Sequence, residues 1–321
     1  MMNVSARLRA IGLFAVFVSA VAFAQPARIE LYAIPTMTLT GAQFLTGDRS
    51  GKPVLIAGEL RLPPAGGGKI AAVVLVHGSG GVRANVDNWA NEFVAQGMGA
   101  FILDSFSGRG IVSTSEDQTQ LHELAMLFDA YRALERLARH PRIDSERIAI
   151  MGFSKGAVAA LYSSLRRFER GYGAVDATFA AHIGFYTPCN VSFIGDTDTG
   201  NKPIRLFHGA SDDLVQVAAC RDYVRRLRRA DRDVQLTEYA DTWHVFDSPG
   251  PALVDCKGPN RATCRMEERA GGQIVNLANG RPFTFKDPCV TQSAHLGYNA
   301  DAHAQSVKAV KAFLAETLKL N

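Results

Sequence analysis

The residues with the most specific chemical pattern are Gly152, Phe153, Ser154, Lys155 and Gly156. They stand between an apolar run at 147–151 and the segment Ala157, Val158, Ala159, Ala160 and Leu161. A serine in a sharp strand-to-helix turn adopts a crowded backbone, and a glycine two residues to either side avoids side-chain collisions there. Such a serine projects above the sheet, next to the oriented N–H groups of a helix start. A serine hydroxyl is barely ionised at neutral pH, so as a nucleophile it needs a base. An imidazole base in turn needs a carboxylate to fix its tautomer and stabilise its charged form. The competing reading of Ser154 is an ordinary helix N-cap.

The chain order expected for a nucleophile in this setting is serine, acid, histidine. Asp212 and Asp213 follow the apolar run 204–208, and His244 follows the run that ends near Tyr239. Both loops lie at the C-terminal ends of strands, where sites in open α/β sheets collect. Of the eight histidines, only His244 has the required location. His122 and His140 belong to a helix or its end, His182 starts a strand, His295 and His303 flank the last helix, and His208 supports the acid loop. A tetrahedral intermediate needs one backbone N–H after the nucleophile and one from the loop after an earlier central strand. The run His77, Gly78, Ser79, Gly80, Gly81 ends such a strand, which assigns the donors to the N–H groups of Lys155 and Ser79, with Gly80 as the alternative to Ser79. Arg109 is a candidate for meeting an anionic substrate group, against a purely structural role.

These residues must be positioned by a scaffold, and the chain is long enough to build one. It has 321 residues, 47% hydrophobic and 21% charged, with 29 glycines and 13 prolines, which excludes the disordered and collagen-like classes. From residue 70 onward, apolar runs at 71–76, 100–103, 147–151, 182–186, 204–207 and 234–239 alternate with amphipathic stretches. This predicts a mostly parallel sheet joined by crossover helices. Extended pieces at 29–32 and 54–62 predict an antiparallel start. Residues 121–139 and 302–318 predict helices, and 247–296 reads as an insertion before the last one. No internal repeat or flexible linker divides residues 25–321, which predicts a single domain.

Residues 1–24 hold Arg7, Arg9, a thirteen-residue apolar stretch at 11–23 and small residues at a cleavage position, the pattern of a secretory signal. The formal charge of +4 therefore falls to about +2 in the mature chain. No membrane span and no nucleic-acid partner are expected. The nearest basic run, Arg225, Arg226, Arg228 and Arg229, has the spacing of one solvated helix face. Five cysteines fit export to the periplasm or beyond, with two disulfides and one remainder. Neither CxxC nor HxxxH spacing occurs, so no metal site is expected. Cys264 and Cys289 flank 273–276, a turn at Asn279 and Gly280, and 283–285, which reads as a hairpin closed by a disulfide. Cys256–Cys264 is the rival pair. The segment either borders the acyl or alcohol side of the site or is a stapled surface hairpin.

Read in order, VLVHGSGG, LDSFSGRG, GFSKG, LFHGASDDLV, YADTWHVFD and GYNADAHAQSV resemble the dienelactone hydrolase family of α/β-hydrolases, from about Val54 to the end of the chain. The resemblance implies the α/β-hydrolase fold, a mostly parallel central sheet flanked by helices. It implies Asp212 as the acid, three residues after the glycine of GxxDxxV, with Asp213 as rival. It also implies a Cys189–Cys220 disulfide, as in exported relatives. The name-giving enzymes use a cysteine in the elbow and a glutamate after the strand at 71–76. This chain has Ser154 and HGSGG there, and is similar to the exported serine-esterase branch. The implied activity is hydrolysis of small-molecule carboxylic esters through an acyl-enzyme, without a cofactor. Peptide or amide cleavage, and a non-catalytic binding protein on the same fold, are the alternatives; the oligomeric state is not read.

Overall fold

The structure, a computed structural model, describes residues 28–320 except 65 and 67; the leader expected at 1–24 lies outside the described residues. The chain opens on β1 (Arg28–Thr38), α1 (Gly41–Thr46) and β2 (Lys52–Leu62). Then come β3 (Ile70–Val76), α2 (Ala84–Ala95), β4 (Gly99–Asp104), α3 (Glu123–Ala138), β5 (Ile143–Phe153), α4 (Lys155–Tyr162) and α5 (Arg166–Tyr172). β6 (Ala181–Phe185), β7 (Val191–Ser192), β8 (Ile204–Gly209), α6 (Val217–Arg229) and β9 (Val234–Tyr239) follow. The remainder is β10 (Val254–Asn260), β11 (Met266–Arg269), β12 (Gln273–Asn276), β13 (Arg281–Pro282), β14 (Thr291–Leu296) and α7 (Ala300–Thr317).

One eight-stranded sheet runs β1-β2-β4-β3-β5-β6-β8-β9. Its neighbours are parallel from β4 to β9, while β2 is antiparallel to both β1 and β4. The all-apolar β3 shows why its sequence does not alternate with polar residues. Ala72, Val74 and Val76 point into the core that α3 covers with Leu124, Leu127, Tyr131 and Leu134. Ala71, Val73 and Leu75 point into the opposite core, closed by Trp89 and Phe93 of α2 and by Val310 and Leu314 of α7. A parallel strand buried on both faces has no solvent side for a polar residue. Among the described residues no helix is long and apolar enough to cross a membrane.

The segment at 247–296 builds two small sheets. β10 pairs antiparallel with β14, and β13-β12-β11-β7 form a four-stranded sheet in which β7 runs parallel to β11. The expected hairpin forms, but its second strand is Arg281–Pro282 rather than 283–285. Pro282 has no N–H for the ladder, and after one more bond, from Phe283 N–H to Ile274 O, regular pairing stops. Cys189–Cys220 and Cys264–Cys289 are disulfides, and Cys256 is the free thiol.

His182, at the start of β6, is buried, with Nδ1 at 3.0 Å from Ala160 O and 3.1 Å from Ser163 Oγ. Burial pulls its imidazole down from the ordinary 6.5 to about 4. The unfolded chain takes up this proton as pH falls through 6.5, the folded protein only near 4, so stability is lost across that window and the loss is complete below it. The expected cost is about 3 kcal/mol. Urea unfolding of wild type and His182→Gln at pH 7 and pH 4 checks it: the variant is expected to lose less stability than wild type by that amount, and an equal loss in both rules the assignment out.

Candidate active site

Ser154 joins β5 to α4 with φ 50° and ψ −116°, a backbone that costs a side-chain-bearing residue about 1–3 kcal/mol. The two flanking glycines are imposed by close approach. A Cβ on Gly152 would lie 2.2 Å from Gly156 O, and a Cβ on Gly156 would lie 2.3 Å from both Val76 O and His77 O. No side chain fits at either position, so α4 and β3 can close on the turn only around glycine. The Ser154 N–H donates to Phe185 O at 3.0 Å, tying the turn to the end of β6.

The structure brings Ser154, His244 and Asp212 together from three separate loops. His244 Nε2 is 3.0 Å from Ser154 Oγ, and His244 Nδ1 donates to Asp212 Oδ2 at 2.7 Å. Asp212 Oδ1 accepts from the N–H groups of Leu214 at 3.0 Å and Val215 at 2.8 Å. Burial alone would push the Asp212 carboxyl up, but the imidazoles of His244 and His208 beside it hold it well below the usual carboxylate range. His208 also donates from Nε2 to Val215 O at 2.7 Å, bracing the acid loop. Asp213 points elsewhere: it accepts from the His295 N–H at 2.9 Å and from His295 Nδ1 at 2.6 Å, fastening β14 to the acid loop.

Gly78 lies against the nucleophile, since a Cβ there would be 3.2 Å from Phe153 O and 3.4 Å from Ser154 Cβ. Ser79, Gly80 and Lys155 line the same cavity of about 370 Å³ as Ser154 and His244. The 247–296 segment borders that cavity through Lys257, Pro259, Arg261, Phe285 and Leu296. It is joined to the histidine loop by the hydrogen bond from Gly297 N–H to His244 O at 2.9 Å.

Arg109 departs from the sequence reading. It does not line the cavity, and all five of its N–H donors are used inside the protein. Two go to Asp129 of α3 at 2.7 and 3.0 Å, and the others to Thr38 Oγ1, Met37 O and Ser105 O. With its side chain 4% exposed, Arg109 fastens β1 to α3 and has no donor left for a substrate.

Sequence reasoning missed the support behind His244. Tyr186, at φ 40°, places its ring 4.5 Å from the imidazole. Its hydroxyl donates to Asp247 Oδ1 at 2.8 Å, and Trp89 Nε1 donates to Asp247 Oδ2 at 2.9 Å. Burial pushes the Asp247 carboxyl up. The one signal in the sequence was the acid three residues after His244.

The sequence model of the dienelactone hydrolase family matches residues 56–318. Acyl-protein thioesterase 1 homolog 1 of Dictyostelium discoideum is 27% identical over 114 residues, 36% of this chain and 46% of that protein, so the match spans about half the length of that relative. A dienelactone hydrolase-like promiscuous phosphotriesterase from metagenomic libraries superposes with a TM-score of 0.58 at 18% identity, covering 90% of this chain and 98% of its own. Thermogutta terrifontis esterase 2, phosphoramylated by tabun, superposes with a TM-score of 0.54 at 15% identity, covering 82% and 90%. At such identities the superpositions speak for the fold, and with the family match over most of the sequence they place the chain in the dienelactone hydrolase family, with an α/β-hydrolase fold.

Proposed function

We propose that the protein is an exported serine hydrolase that cleaves carboxylic esters of small molecules. Ser154 Oγ attacks the ester carbonyl while His244 Nε2 takes its proton, and the N–H groups of Lys155 and Ser79 hold the oxyanion. The imidazolium then returns the proton to the departing alkoxide, leaving an acyl group on Ser154. Water, deprotonated by the same imidazole, releases the acid. Asp212 keeps the Nδ1 proton of His244 in place and offsets the imidazolium charge. The observation that carries this reading is the unbroken hydrogen-bonded chain Asp212–His244–Ser154, at 2.7 and 3.0 Å, opening on one cavity. A thioesterase among the relatives and an esterase among the structural neighbours agree with acyl transfer. The two disulfides support an oxidising compartment.

A panel of p-nitrophenyl acetate, butyrate and octanoate beside fluorogenic aminoacyl amides tests the reaction class. Turnover of the short esters, with a quenched mixture showing the acyl mass on the enzyme, is expected. Amide cleavage without ester cleavage would overturn the proposal.

A further inference from the structure

We propose that the Lys155 side chain is a positioning residue for the oxyanion site, holding the Ser79 loop through Gln118 and keeping an unneutralised positive charge beside it; this rests on the reading of Ser154 as nucleophile. Lys155 is 5% exposed, yet among the described residues no carboxylate lies within ion-pair distance of it. Its Nζ donates to Gln118 O at 3.1 Å, Gln118 Oε1 at 3.1 Å and Thr114 Oγ1 at 3.4 Å. The Gln118 amide that the ammonium holds also faces Ser79 Oγ, with Nε2 at 3.1 Å and Oε1 at 3.3 Å from it. Ser79 O is held in turn by the Thr114 N–H at 2.8 Å and by Ser113 Oγ at 3.2 Å. Ser79 is therefore fixed at both its side chain and its backbone by the segment 113–118, and that segment is anchored on the lysine that follows the nucleophile.

A buried ammonium held only by neutral oxygens costs folding energy, and a charge kept at such a cost one glutamine amide away from Ser79 points to a use there. The developing oxyanion supplies the missing countercharge in a site of low dielectric. The other charges that face the ammonium do not cancel it. Glu123 is paired with Arg261 at 2.5 Å, Arg261 adds positive charge, and Asp117 lies at the surface. His77 is buried and His122 is partly exposed, and desolvation pulls both imidazoles down toward the neutral form. Burial likewise pulls the Lys155 ammonium down to about 8.

The test is the pH dependence of kcat and KM for p-nitrophenyl butyrate from pH 6 to 9.5 in wild type, Lys155→Met and Gln118→Ala, with Ser154 labelling by a fluorophosphonate measured alongside. Both variants are expected to lose roughly tenfold or more in kcat, with KM within about twofold. Wild type and Gln118→Ala are expected to lose kcat as pH rises through about 8; Lys155→Met is expected to lack that limb. A labelled, active wild type matched in kcat by Lys155→Met, or sharing its alkaline limb with it, overturns the role of Lys155 alone. If Lys155→Met does not fold, wild-type kcat in Gln118→Ala overturns it instead. A wild type neither labelled nor active overturns the hydrolase reading and this role with it.

Discussion

Ser154→Ala is expected to lower kcat toward p-nitrophenyl butyrate by about 10⁶-fold while the circular dichroism spectrum and cooperative unfolding are kept. The size of the loss follows from what is removed. Without Oγ no acyl-enzyme forms, and what remains is water attacking a carbonyl held by the oxyanion donors. The fold survives because the turn is shaped by Gly152 and Gly156, whose missing side chains let β3, β5 and α4 meet. Ser154→Gly sharpens the test. It abolishes turnover equally but relieves a backbone at φ 50°, so it is expected to unfold at a higher urea concentration than Ser154→Ala, by about 1 kcal/mol or more. Equal activity in wild type and Ser154→Ala, measured by initial rates, contradicts the assignment.

Asp212→Asn is expected to lower kcat by about 10⁴-fold, and Asp213→Asn by no more than about threefold. The two acids are adjacent in sequence but do different things. Asp212 Oδ2 receives the Nδ1 proton of His244 at 2.7 Å, whereas Asp213 is spent on His295 and β14. An amide at 212 can donate to Nδ1 and so favours the tautomer in which Nε2 carries the proton and cannot accept one from Ser154. Rates of the two variants side by side decide between the acids, and a large loss in Asp213→Asn alone reverses the assignment.

The elements that were legible are those whose signal is local. The elbow reads from two glycines and a strand–helix junction, and His244 from its place after the last sheet strand. Asp212 reads from its distance to Gly209 in a family pattern, and Cys264–Cys289 from a hairpin between them. What escaped depends on contacts between distant positions. Arg109 looked free because Asp129, Thr38 and Met37, which take its donors, lie on other elements. Tyr186 and Trp89 converge on Asp247 from the turn after β6 and from α2, which no spacing reveals. Lys155 was read for its backbone N–H; its side chain acquires a role only once the segment 113–118 folds over it. The hairpin's second strand shifted because regular pairing ends at Pro282.

The central claim is that His244 makes Ser154 Oγ a nucleophile, and covalent labelling by a fluorophosphonate, read by peptide mass spectrometry, tests it most directly. The account predicts a single adduct on the peptide containing Ser154, formed at least about 10³-fold more slowly in His244→Ala. No adduct, an adduct elsewhere, or labelling as fast in His244→Ala as in wild type would contradict it.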